Sequence, residues 1–236
     1  MQITPLGDSA LMLTVGDKVT ESTHRQVHAA WRALSAEPMP GVSEVTPAYT
    51  TVTVFYDAWR AVEAGAPEDG VIEWLTAQVR HRLKHPPKVG KAGKPRTVEI
   101  PVCYGGEHGP DLGRVAAQAR LFPDEVVKRH TAAKYLVHLI GFAPGFPYLG
   151  GLPKELATPR HAKPRMAVPA GSVAIGGEQT GIYPQETPGG WNLIGCTPLR
   201  LFRPEAEPPV FLEAGDEVRF KTITPDEFKR LQEVKP

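Results

Sequence analysis

Apolar and polar positions alternate from the start of the chain. Leu11 and Leu13 are interleaved with Met12 and Thr14, the period of two expected of a half-buried strand. Gly7-Asp8 supplies a turn, so residues 1–15 read as two short strands. The period then lengthens. Val27, Ala30, Trp31 and Leu34 fall at i, i+3, i+4 and i+7, which places one apolar stripe on a helix from about Thr20 to Leu34. Pro38, Pro40 and Gly41 end it. Val42–Val45 and Tyr49–Tyr56 read as paired strands, the second rich in β-branched residues. A second helix fits Pro67 to about Leu83, with Val71, Trp74, Leu75, Val79 and Leu83 as its stripe. The order ββαββα describes a small α+β sandwich, one sheet against two helices.

From Lys84 to Arg96 the pattern stops. KHPPKVGKAGKPR has no apolar period, is basic, and carries Pro and Gly throughout, the composition of a solvated connector. The chain is therefore divided into an α+β domain at 1–84, a linker at 85–96 and a second domain at 97–236. In the latter, Thr97–Tyr104 reads as a strand. Asp111 is placed to cap a helix running to Ala119, and Pro123-Asp124-Glu125 opens another, with Pro at the first helical position and acids where the helix dipole favours them. Tyr135–Phe142 and Pro198–Phe202 read as strands. A turn at 212–216 leads into the strand Glu217–Ile223, and Thr224-Pro225-Asp226-Glu227 is a capping box before a last helical turn. Many short strands with long Gly/Pro turns predict a mainly-β, closed barrel for this half.

Between Gly141 and Gly195 lie eleven Gly and eight Pro in 55 residues, against 29 of the two types in the remaining 181. Such a stretch is either disordered or a set of specified turns that bring backbone close to a ligand. Its aromatics decide for order: Phe142, Phe146, Tyr148, Tyr183 and Trp191 each need burial, and Val168, Val173, Ile175, Ile182 and Ile194 give strand-like partners.

Composition removes several function classes. Lys and Arg number 27 and Asp and Glu 26, a formal charge of +1, so there is no broad basic face for nucleic acid. Two cysteines without ligand-like spacing argue for a reducing compartment rather than a disulfide scaffold. The first residues lack the basic and apolar regions of a signal peptide, and no apolar run approaches the roughly 20 residues of a membrane span. A soluble cytoplasmic protein is expected, with no membrane partner.

The phosphate loop, nucleophile elbow, HExxH and dinucleotide fingerprint are absent. His24/His28 and His81/His85 stand at i, i+4 on expected helices, but neither pair has a clear third ligand, and no metal site is assigned. Cys103 reads as a small core residue. The candidate chemistry lies in the Gly/Pro stretch. The pairs Gly176-Gly177 and Gly189-Gly190 can offer successive backbone N–H groups to an anion, or simply make turns. Arg160, Lys163 and Arg165 are separated by proline, and an arginine fork suits a carboxylate or phosphate; a solvated basic loop is the alternative. Glu178 and Glu186, the acids near the glycine pairs, are the candidate general base or Mg²⁺ ligand. Ser172, Thr180 and Asn192 can orient a substrate, and Phe146, Tyr148, Tyr183 and Trp191 can wall a pocket or serve as core.

GDSAL at 7–11, IPVCYGGEHGPDL at 100–112, GFAPGFPYLGGLP at 141–153, TPRHAKPRMAVPAGSVAIGG at 158–177, QTGIYPQETPGGWNLIG at 179–195 and TPLRLF at 197–202 closely resemble the family formed by the B subunits of bacterial ATP-dependent 5-oxoprolinase. That family also holds the sporulation-kinase inhibitor KipI and the subunit 1 half of urea- or allophanate-type carboxyltransferase modules. The resemblance covers nearly the whole chain and is densest in the second half. It implies a small α+β domain followed by a cyclophilin-like β-barrel. It further implies hydrolysis of 5-oxo-L-proline to L-glutamate together with A and C subunits, using ATP with Mg²⁺ at a site shared with a partner. On this basis Glu186 or Glu178 is the expected base, Arg160 or Arg165 the carboxylate clamp, and Ser172, Gly176, Gly177, Thr180, Tyr183, Gly189, Gly190, Trp191 and Phe146 the expected contacts to substrate or ATP. The alternatives are a KipI-like inhibitor that binds a histidine kinase and the partner half of a carboxyltransferase. A homo-oligomer is compatible with all three.

Overall fold

The computed structural model describes residues 1–87 and 96–233. The chain divides into two compact units, Met1–Lys94 and Pro95–Pro236. Most of the expected linker at 85–96 lies outside the described residues.

The first unit holds β1 (Gln2–Pro5), β2 (Ala10–Thr14), α1 (Glu21–Ser35), β3 (Val42–Pro47), β4 (Thr51–Tyr56), α2 (Ala58–Glu63) and α3 (Val71–Lys84). Its four strands form one antiparallel sheet in the order β1-β2-β4-β3. The alternation read at 11–14 is what fixes the register. Leu11 pairs with Val54 and Leu13 with Val52, so all four side chains enter the core beside Val27, Leu34, Leu75 and Val79 of the helices. A slip by one residue would turn this set to solvent. Thr20 starts α1 by accepting the Thr23 amide at 3.1 Å. Trp31 is half-buried because its indole N–H donates to the Val45 carbonyl at 3.0 Å. Two expectations need correction. α2 is added after Asp57, whose carboxylate accepts the Arg60 amide at 3.1 Å; six residues are too few to show a period. The helix expected from Pro67 begins at Val71, because 67–70 forms a turn closed by the Gly70 amide on the Pro67 carbonyl.

The second unit holds β5 (Thr97–Tyr104), α4 (Leu112–Ala119), α5 (Pro123–Ala132), β6 (Tyr135–Ile140), β7 (Pro147–Gly150), a 3₁₀ turn (Lys154–Leu156), β8 (Arg165–Val168), β9 (Ser172–Gly176), β10 (Gln179–Ile182), β11 (Thr187–Gly189), β12 (Asn192–Cys196), β13 (Glu217–Thr222) and α6 (Pro225–Glu233). Seven strands close a barrel in the order β10-β7-β6-β13-β5-β12-β9, and β8 pairs with β11 as a separate ribbon. Closure depends on β13 lying parallel to β5 over six residue pairs, Glu217–Thr97 to Thr222–Val102; the remaining barrel pairings are antiparallel. Ile100, Val102, Val137, Leu149, Ile175 and Ile194 fill the interior. The expected strand Pro198–Phe202 is reduced to a single bridge from Phe202 to Val210. The capping box at α6 forms as read: the Glu227 amide donates to Thr224 Oγ1 at 3.2 Å, and the Thr224 amide to the Glu227 carboxylate at 2.9 Å.

A polar chain runs through this interior. His130 is fully buried and stacks on Phe220 at 4.6 Å. Thr180 Oγ1 donates to the Ala174 carbonyl at 2.9 Å, so it can only accept from His130 Nε2 at 3.1 Å. Nδ1 is then the acceptor for the Tyr104 hydroxyl at 2.8 Å. The ring is neutral, and burial lowers its pKa to about 3. Among the described residues no helix is long and apolar enough to cross a membrane.

Candidate functional site

Tyr148 of β7, Pro188 and Gly189 of β11 and the turns around them line an open cavity of about 250 Å³. Phe146 forms part of its wall, edge-on to Tyr148, Tyr183 and Trp191 at 4.9, 5.3 and 5.6 Å between ring centroids. Each edge-to-face contact is worth about 0.5–1.5 kcal/mol beyond burial, so the walls are set before any ligand arrives. Phe142 stands at the cavity, 64% exposed and with φ +69, a backbone conformation that costs a non-glycine residue on the order of 1 kcal/mol. Arg160 brings a cation to this lining: its guanidinium carbon lies 5.5 Å from the Trp191 ring centroid. Burial raises the Tyr183 hydroxyl above its usual range, partly offset by the Trp191 backbone and the charge of Arg160. A small flat molecule carrying one anionic group fits this combination of aromatic faces and guanidinium.

Of the residues singled out in the sequence, Phe146, Tyr148, Arg160, Tyr183, Gly189, Gly190 and Trp191 are brought together here. Gly176 and Gly189 also make room for rings. A Cβ on Gly176 would stand 2.5 Å from the Trp191 ring, and one on Gly189 would stand 2.4 Å from the Tyr183 hydroxyl. Both are bare so that a ring can lie against backbone. The Gly177 amide already donates to the Thr158 carbonyl at 2.8 Å, so it is not a free donor for an anion. Thr180 belongs to the barrel interior rather than to a ligand site. Ser172 is buried where β9 begins, its carbonyl accepting the Tyr183 amide at 2.9 Å, and does not line the cavity. Glu178 and Glu186 are exposed and do not line it either.

Arg165 does not converge with Arg160. Its Nη2 bonds to Asp111 Oδ1 at 2.7 Å. Asp111 was expected to cap α4, but its side chain makes no cap bond. The other carboxylate oxygen accepts the Leu193 amide at 2.7 Å and lies 3.4 Å from His161 Nε2. Burial alone would raise this carboxyl. The bond from Arg165, the Leu193 amide and the charge of Arg165, joined by that of His161 when its ring is protonated, outweigh it, so its pKa falls below the usual value. One turn into α4, Arg114 Nη1 lies 2.5 Å from His161 Nδ1, and Nη2 lies 3.4 Å from the Pro159 carbonyl. Asn192 Nδ2 donates to that same carbonyl at 3.1 Å, and the His161 amide to Gly190 at 2.7 Å. The segment that carries Arg160 is thereby tied at both ends to α4 and β12. Sequence reading missed Asp111, Arg114 and His161 as a group, because about 50 positions separate the two halves and no local spacing joins them.

A closed barrel bearing an aromatic, arginine-edged cavity is a scaffold, and comparison places it. The model of the carboxyltransferase domain, subdomains C and D, matches residues 1–212, and the chain belongs to that family. Within it, the chain is 47% identical over 234 residues to the B subunit of 5-oxoprolinase from Bacillus subtilis (strain 168), across 98% of this chain and 97% of that one. It is 44% identical over 218 residues to the corresponding 5-oxoprolinase B subunit of Escherichia coli O157:H7, across 91% and 93%. The solved structure of TTHA0988 superposes with a TM-score of 0.77 at 36% identity, over 91% of this chain; the chain spans 40% of that longer polypeptide.

Proposed function

We propose that the chain is the B subunit of a multi-subunit 5-oxoprolinase, which hydrolyses 5-oxo-L-proline to L-glutamate with A and C subunits and ATP. The observation that carries this reading is the end-to-end match, 47% identical, with the Bacillus subtilis protein. The cavity is consistent with it. At about 250 Å³ it suits a five-membered lactam among the aromatic side chains, with the substrate carboxylate on the Arg160 guanidinium. In this reading the chain binds and orients the lactam and keeps water from its apolar faces.

ATP with Mg²⁺ does not fit these residues alone. The cavity falls below the roughly 300–1,000 Å³ usual for larger ligands. Among the described residues no carboxylate lines the cavity to hold Mg²⁺ beside the phosphates. The nucleotide site is assigned to another component of the complex or to a surface that a partner completes. The same reading makes the first unit an α+β domain at 1–84, the second a cyclophilin-like barrel at 97–236, and the location cytoplasmic. A cyclophilin-like barrel does not itself imply prolyl isomerisation.

Co-expression with the A and C subunits and an assay of 5-oxoproline-dependent ADP release test this. The complex is expected to turn over and the single chain to be inactive. An inactive complex, or turnover by the chain alone, refutes the proposal. Inhibition of a histidine kinase, or biotin-dependent carboxyl transfer, would move the assignment to the corresponding relative.

A further inference from the structure

We infer that Cys103 and Cys196 are an oxidation site, which a peroxide converts to a disulfide across the seam between β5 and β12. They are the two cysteines of the chain, and both thiols are free. The antiparallel pairing of β12 with β5 sets them directly opposite each other. Directly opposed residues of such a pair have Cα atoms about 4.5–5.5 Å apart, whichever hydrogen-bonding type they are. A disulfide needs roughly 4.4–6.8 Å.

The two side chains also share a face. On β5, Val98, Ile100 and Val102 belong to the barrel core, so Cys103 points out of it. Strict alternation along β12 would put Ile194 and Cys196 on one side, but the register of β12 against β9 shifts between Leu193 and Gly195. Ile194 therefore stays in the barrel core while Cys196 turns outward. There Cys103 and Cys196 pack in one cluster with Ile223 and with Phe228 of α6. Cys196 Sγ rests on the turn at 170–171. It lies 3.7 Å from the Ala170 carbonyl oxygen, and a Cβ on Gly171 would meet it at 3.1 Å. Rotation about χ1 carries the sulfur off that turn toward Cys103. An open cavity of about 260 Å³ beside Cys103, lined also by Leu112, Val127 and Ile223, gives that side chain room to adjust. Burial raises both thiols, Cys196 to about 11 with Cys103 adding to it. The pair is thus protonated at neutral pH and reacts slowly.

Cys196 is half-buried and Cys103 buried, so Cys196 reacts first. Its thiolate attacks one oxygen of the peroxide, the O–O bond breaks, hydroxide leaves, and Cys196 becomes a sulfenic acid. The Cys103 thiolate then attacks the Cys196 sulfur; the S–O bond breaks and a second hydroxide leaves. The thiol protons turn both hydroxides into water, and the sulfurs give two electrons to the peroxide. None of this depends on the hydrolase reading.

The test uses the purified full chain in hydrogen peroxide at about pH 8.5. Its mass is expected to fall by two hydrogens, peptide mapping to link Cys103 with Cys196, and circular dichroism to stay native. Cys103→Ser is expected to hold a sulfenic acid on Cys196 that dimedone traps, and Cys196→Ser to leave Cys103 reduced. Cys103→Ala replaces the serine variant if that one fails to fold. Disulfide-linked dimers, two thiols that stay free, or Cys196 carried to a sulfinic acid beside a free Cys103 overturns the site. A glutathione redox buffer then separates a bond the fold favours from one closed in transiently opened chains. The disulfide equilibrium constant is expected to be at least about tenfold larger in native protein than in urea. A smaller ratio means that the folded strands do not bring the sulfurs together, and the inference falls.

Discussion

The fully buried His130 of the barrel makes the second unit acid-labile in a calculable way. His130 is neutral in the fold, its pKa lowered by burial from 6.5 to about 3. Between those values the unfolded chain binds a proton that the folded chain does not. Its contribution to stability is therefore complete above about pH 6.5 and is lost progressively as pH falls toward 3. Linkage over this shift gives a loss of about 2 kcal/mol between pH 7 and pH 5. That is a large part of the roughly 5–15 kcal/mol typical of a domain. The perturbation is His130→Gln, which removes the titration and keeps one donor and one acceptor. The assay is urea unfolding at pH 7 and pH 5 of protein labelled with 5-fluorotryptophan. Trp191 is the single tryptophan among residues 95–236, so its ¹⁹F resonance, assigned through Trp191→Phe, reports on this unit. His130→Gln lowers stability at pH 7, because the bonds to Thr180 and Tyr104 are disturbed and the stacking on Phe220 is altered. Its loss between pH 7 and pH 5 is expected to be smaller than that of wild type by about 2 kcal/mol. Equal losses in the two proteins would show that His130 is not held neutral, and the donor assignment along Tyr104, His130 and Thr180 would fall with it.

Three further outcomes are expected. Gly176→Ala puts a methyl 2.5 Å from the Trp191 ring; it should cost about 1–3 kcal/mol, as overpacked sites do, and shift the Trp191 resonance, whereas an unchanged midpoint and resonance would mean the ring has room to move. Arg160→Ala should raise KM for 5-oxoproline in the reconstituted complex about tenfold or more, with Arg160→Lys intermediate, and an unchanged KM would remove Arg160 from carboxylate binding. Glu178→Gln and Glu186→Gln, both exposed and outside the cavity lining, should leave kcat/KM within about threefold; a loss above 100-fold in either would restore it as the base.

Much of this molecule is decided within a few residues of chain. The alternation at 11–14, the stripe on α1, the Thr20 and Thr224 caps and the strand at 97–104 are local, and each is legible because side-chain period and capping chemistry act over one or two turns. The Gly/Pro stretch with its aromatics likewise marks the cavity wall, where Phe146, Tyr183 and Trp191 are buried as read and Phe142, also expected to be buried, is exposed. What only the tertiary structure decided is the pairing of groups far apart in sequence. Asp111 has the residue type of a helix cap, yet β12 and β8 bring Leu193 and Arg165 to its carboxylate, and a partly buried ion pair with a backbone amide outcompetes a cap bond at the helix end. Gly176 and Gly189 carry no sign in the chain that Trp191 and Tyr183 will lie against them. Arg160 and Arg165 are alike in sequence, and the fold sends one to an aromatic face and the other to a carboxylate. The physical reason is the same in each case: local preferences are worth about 1 kcal/mol or less, and barrel closure through β13 and β5 sets contacts that no short window of sequence contains.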